Sequence, residues 1–296
     1  MDYLVLIRLL SFGGMTLLSL RVPFALSQSV FFAVLFGHYV MQLIYSPRQL
    51  QDAARPVAPW RIAALLGTFL LTQYTTNLPM AVFFGVHFVF SELYTGKLGT
   101  RSQLVFWSRA LTVSATYVLC CAALPEFAWM PRNLLLAALV LGFAGLGVAL
   151  LRSSAEGPLW ARPELRLIAY EAIGVPFALA LPSTGRSELT DIIFVHLVWW
   201  FLYPLPRFFG AGRVRAPAQL GRYLGLTFAI TFGFFIFTPA ARIFDVGFPP
   251  WALLSILTGN IHITLSFALS AANPAWIRLL FQPRASEPLQ IVAPTI

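Results

Sequence analysis

Long apolar runs recur along nearly the whole of this chain, separated by short connections that carry most of its arginines. Lipid offers the backbone no hydrogen-bond partners, so a segment that crosses it must satisfy its own amides as a helix or a closed barrel. Runs of roughly 17 to 25 residues suit the hydrocarbon core as helices. We place them at residues 3–20, 24–45, 62–77, 79–94, 105–124, 133–151, 166–182, 190–208, 223–241 and 250–271. The stretch 62–94 is divided at Asn77-Leu78-Pro79, because the residue before a proline is pushed out of the helical region. The expected fold is therefore all-α: a polytopic transmembrane helix bundle of about ten spans. Residues 1–275 form one transmembrane domain and 276–296 a short cytoplasmic tail.

Composition agrees. Hydrophobic residues make up 58% of the chain and charged residues 10%, against roughly 25% charged in a soluble domain. The net charge of +9 does not point to nucleic acid, because the arginines fall in the connections between apolar runs, where basic residues set membrane orientation. Four alternate connections hold thirteen basic residues: Arg48, Arg55 and Arg61; Lys97, Arg101 and Arg109; Arg152, Arg162 and Arg166; Arg207, Arg213, Arg215 and Arg222. The connections on the opposite side hold four: Arg21, Arg132, Arg186 and Arg242. That bias puts both termini in the cytoplasm and makes the number of spans even. Trp60, Trp107, Trp129, Trp160, Trp251 and Trp276 lie at span ends, as interfacial rings do. The first run, with Arg8 inside it, reads as a retained helix and not as a cleaved signal. Cys120 and Cys121 read as packing residues, and Gly142, Gly145 and Gly147 as points of close helix contact.

The chain has four histidines, His38, His87, His196 and His262, and each lies inside a span. An intramembrane imidazole needs a polar partner, which makes each a functional candidate. Their depths coincide. His38 precedes Arg48 by ten residues and His87 precedes Lys97 by ten; His196 precedes Arg207 by eleven and His262 precedes Asn273-Pro274 by eleven. At a helical rise of about 1.5 Å per residue, all four rings sit roughly 15 Å from the cytoplasmic boundary, in one layer. Neutral imidazoles from several helices suit iron, copper or zinc. The competing reading has each histidine satisfy one polar contact between helices.

Two carboxylates accompany them. Glu92 lies five residues after His87, and Glu171 lies within the span 166–182. Either can orient a metal-bound imidazole or snorkel to the headgroups, and Glu171 is the candidate catalytic carboxylate. Trp199 and Trp200, beside His196, are candidates to line a tunnel for a conjugated or isoprenoid ligand; packing against lipid and other helices is the alternative. There is no aspartate-rich diphosphate site, no glycine-rich phosphate loop and no histidine-box cluster.

At these positions the chain resembles the bacterial membrane-bound β-carotene dioxygenases, a bacteriorhodopsin-related, all-helical family in which histidines from several spans hold iron. His87-Phe88 with Glu92 matches an HF-x3-D segment and follows a Leu-Pro break. His38 matches an H-x3-D segment with Gln42 in the acidic position. His196 matches an H-x3-H segment with Trp200 in place of the second histidine, and His262 matches a late intramembrane histidine before a basic tail. The resemblance implies Fe2+ on His38, His87, His196 and His262, a bacterial inner-membrane location, and an oxygenase acting on a carotenoid, isoprenoid or other apolar substrate that enters from the membrane lipid. Two other classes stay open: a non-catalytic subunit binding haem or a pigment, and a transporter or assembly factor without a cofactor.

Overall fold

A computed structural model describes residues 3–21, 24–45, 58–73, 78–94, 102–122, 127–153, 158–159, 162–180, 188–210, 213–214, 216–243, 250–269 and 280–281. Among them the regular structure is helical, apart from one two-residue strand pair. Ten α-helices follow one another: α1 (Tyr3–Arg21), α2 (Phe24–Tyr45), α3 (Pro59–Gln73), α4 (Leu78–Tyr94), α5 (Gln103–Cys120), α6 (Arg132–Arg152), α7 (Pro163–Ala180), α8 (Glu188–Leu202), α9 (Pro217–Ile243) and α10 (Pro250–Leu269).

Proline sets many of these boundaries. α3, α7, α9 and α10 each begin on a proline, and Pro79 is the second residue of α4. A proline costs nothing in the first turn, where its missing N–H would be unpaired anyway, and its ring presets a helical φ. The expected span 190–208 is shortened for the complementary reason. Pro204 disfavours helix at Tyr203, so α8 stops at Leu202 and a 3-10 turn, Leu205–Phe208, leads into Phe209–Gly210 paired antiparallel with Arg213–Val214. Pro176 lies inside α7 without ending it.

Among the described residues two helices, Arg132–Arg152 and Pro217–Phe237, are long and apolar enough to cross a membrane. Both face outward with apolar side chains. Leu224, Phe228, Phe232 and Ile236 make an exposed stripe at four-residue spacing along α9, and Leu151 of α6 is 84% exposed. Arg8, Glu92, Arg109 and Glu171, by contrast, are all buried. Exposed apolar stripes around a buried set of charges agree with the membrane association that these two helices suggest. Trp60, Trp107 and Trp129 are exposed near helix starts; the side chains of Trp160, Trp251 and Trp276 lie outside the described residues.

The helices meet through small residues and rings, the means by which helices associate when the surrounding medium is as apolar as they are. A Cβ on Gly142 would lie 2.6 Å from Thr112 Cγ2 and 2.8 Å from the Ser108 carbonyl, so α5 and α6 touch backbone to backbone. Gly145 likewise abuts Ser108, while Gly147 faces open space and is not a contact point. α9 packs on α2, where Phe234 stacks on Phe36 at 5.1 Å and Thr231 lies against Gly37. Cys120 and Cys121 are buried in the core and form no disulfide with each other. α2, α4, α8 and α10, the four helices that carry the histidines, all contribute to that core.

Candidate metal centre

α2, α4, α8 and α10 bring all four histidine rings together. His38, His87, His196 and His262 are each buried. The His38 and His262 rings are 4.3 Å apart between centroids and their Nε2 atoms approach to 3.0 Å. His196 lies 5.8 Å from His38, and His87 lies 5.2 Å from both His196 and His262. One nitrogen from each of His38, His196 and His262 falls within 4.8 Å of the other two, a set of three able to hold a metal ion. His87 stands against this trio.

A neutral imidazole has one N–H donor and one acceptor nitrogen, and burial requires both to be paired. The helix-contact reading therefore demands a protein partner for each. Among the described residues the His38–His262 contact supplies one. Both nitrogens of His196, His38 Nδ1, His262 Nδ1 and His87 Nε2 are buried with no hydrogen-bond partner among the described residues. Each orphan costs about 1–3 kcal/mol. A cation held by His38 Nε2, His262 Nε2 and one nitrogen of His196 removes part of that cost, because a coordinated nitrogen no longer needs a hydrogen-bond partner. The 3.0 Å between His38 and His262 Nε2 is also the spacing of adjacent ligands at right angles, about 3.0 Å for metal–nitrogen bonds near 2.1 Å.

The wall around the histidines is aromatic. Trp200 meets His38 edge-on at 4.4 Å, Tyr39 lies 5.1 Å from His262, and Phe84 and Phe88 lie 6.1 and 6.0 Å from His196. Phe267 lies 6.1 Å from His87. Of the two tryptophans, Trp200 joins this wall, whereas Trp199 stacks on Tyr203 at 4.8 Å with its buried Nε1 unpartnered among the described residues. Gln42, one turn after His38, donates from Nε2 to Ser266 Oγ at 2.8 Å and, more weakly, to the His262 carbonyl at 3.5 Å.

The carboxylates belong to a second group. Glu92 neither snorkels nor bonds a histidine: its Oε1 pairs with Arg8 Nη1 at 2.7 Å, and its Oε2 accepts from the Tyr170 hydroxyl at 2.8 Å. Glu171, the candidate catalytic group, accepts from Arg109 Nε at 2.8 Å and has Arg8 Nη2 4.0 Å away. Arg109, counted above as a loop charge, is in fact buried in α5. Its Nη1 and Nη2 donate to the carbonyls of Leu93 and Glu92 at 3.1 and 2.8 Å. The last carbonyls of any helix lack partners within it, so this guanidinium caps α4 from a neighbouring helix. The cluster holds two positive and two negative side chains and ties α1, α4, α5 and α7 together. The sequence offered one clue to it: an arginine within an apolar run must find a counter-charge in the bundle.

The chain matches no protein-family model, no curated protein and no solved structure.

Proposed function

We propose that this chain is a multi-pass membrane protein, crossing the bilayer about ten times with both termini in the cytoplasm, that holds one transition-metal ion on buried histidines. The observation that carries the reading is His196, whose two ring nitrogens are both buried without a partner among the described residues, beside nitrogens of His38 and His262 within 4.8 Å. His38, His196 and His262 are the ligands, and His87 is the fourth imidazole at the site.

The metal we assign is iron and the activity an oxygenase on an apolar chain, a carotenoid or isoprenoid that reaches the site from membrane lipid. An all-nitrogen, neutral donor set suits ferrous iron, and an aromatic wall suits an extended polyene. The resemblance to the β-carotene dioxygenases supports the same class. Bound iron would supply oxygen activation; the chain's own residues hold the ion, shape the apolar wall and keep bulk water away from it. A haem held between His38 and His262 fits poorly, since paired axial nitrogens lie about 4 Å apart across an iron with bonds near 2.0 Å, and these are 3.0 Å apart.

The test is conversion of carotenoid by iron-loaded protein in lipid vesicles, followed by the loss of substrate absorbance and by product chromatography. We expect turnover that consumes oxygen and is absent from a His196→Ala protein. Iron-loaded protein that leaves a panel of carotenoids and linear isoprenoids unchanged would exclude the oxygenase assignment.

A further inference from the structure

The seam between α2 and α10 carries a second polar pair one turn from the first. His38 faces His262, and four residues further along each helix Gln42 faces Ser266. Residues four apart lie on one face of a helix, with Cβ atoms about 5–6 Å apart, so the amide lies beside the histidine cluster. The orientation of that amide is determined. Its nitrogen faces the His262 carbonyl, which can only accept a hydrogen bond, so the NH2 must be there and the oxygen on the other side. Gln42 Oε1 is buried and has no partner among the described residues. A buried amide oxygen with two lone pairs and no donor is an acceptor awaiting one.

We infer that Gln42 Oε1 is a recognition point for a hydroxyl donor, and that the apolar ligand of this site carries a hydroxyl at the end lying between α2 and α10. This rests on the proposed function and narrows its substrate class from apolar chains in general to isoprenoid alcohols. A site built to pair a hydroxyl discriminates strongly against the analogue that lacks it, because the buried acceptor is then left unpaired. A pure hydrocarbon gains nothing from Gln42. A water molecule could supply the same donor chemistry, and the experiment separates the two sources.

The probes are geranylgeraniol and its methyl ether, which differ in the ability to donate and by one methyl group on the same oxygen. Binding is read by quenching of tryptophan fluorescence in detergent-purified protein, with metal content measured on the same samples. We expect the alcohol to bind about ten-fold more tightly than the ether, the ratio that one neutral hydrogen bond provides. In Gln42→Leu the ratio should fall to about one, through weaker alcohol binding, with metal content unchanged. Equal binding of both probes to the unmodified protein would overturn the inference and leave water as the donor. A preference that survives in Gln42→Leu would overturn it as well. Unmodified protein that holds no metal would instead count against the proposed function, whichever way the probes behave.

Discussion

Replacing Arg109 by methionine keeps much of the side chain's volume and removes its charge. Three charge-assisted bonds disappear: to Glu171 at 2.8 Å and to the carbonyls of Leu93 and Glu92 at 3.1 and 2.8 Å. Glu171 is left with Arg8 at 4.0 Å as its nearest cation in the cluster, and two carbonyls at the end of α4 lose the donor that caps them. Breaking a buried ion pair by deleting one partner costs about 3–5 kcal/mol. Hydrogen bonds between membrane helices average less, about 0.6–2 kcal/mol each, but an uncompensated buried carboxylate places this case at the upper figure. The double variant Arg109→Met/Glu171→Leu removes both charges together and should recover all but about 2 kcal/mol, the residue being the uncapped carbonyls. Reversible unfolding by SDS in mixed micelles measures both proteins and the coupling between the two sites. A loss below about 1 kcal/mol for Arg109→Met, the range of an exposed ion pair, would refute the buried cluster. It would restore Arg109 to the loop where its neighbours in sequence suggest it belongs.

The remaining predictions concern packing and ligands. Gly142→Ala should cost about 1–3 kcal/mol in the same unfolding assay, because the added methyl meets Thr112 and the Ser108 carbonyl. Gly147→Ala, facing open space, should be neutral or stabilise by up to about 1 kcal/mol. His87→Ala should weaken metal affinity about 10–100-fold without abolishing stoichiometric binding, since its ring flanks the trio; equilibrium dialysis against a competing chelator measures the change. Trp200→His should restore metal to a His262→Ala protein, because residue 200 lies against His38 and a new imidazole there takes the lost ligand's place. Elemental analysis of the purified double variant decides it.

The histidine layer was legible because helix geometry converts sequence spacing into depth. Four offsets of ten or eleven residues needed only the rise per residue to become a common plane, and the helices then had only to turn those faces inward. Helix starts were legible where proline marks them, at Pro79 and Pro250. The ion cluster was not, because counting arginines toward the nearest connection assigns Arg109 by position, whereas its burial depends on Glu171, 62 residues further along the chain. Nor could periodicity show which of two adjacent tryptophans faces the site. Trp199 and Trp200 differ by about 100° around α8, and it is the packing of α2 that selects Trp200. Gly142 and Gly147 read alike in sequence, yet only Gly142 meets a neighbouring backbone.

The central claim is that a metal sits on the buried histidines, and elemental analysis of detergent-purified protein, with a visible spectrum of the same sample, tests it most directly. The account predicts about one iron per chain, no haem band, and loss of the iron from a correctly folded His196→Ala protein. A chain purified without metal, and unable to take up Fe2+ under reducing conditions, would contradict it.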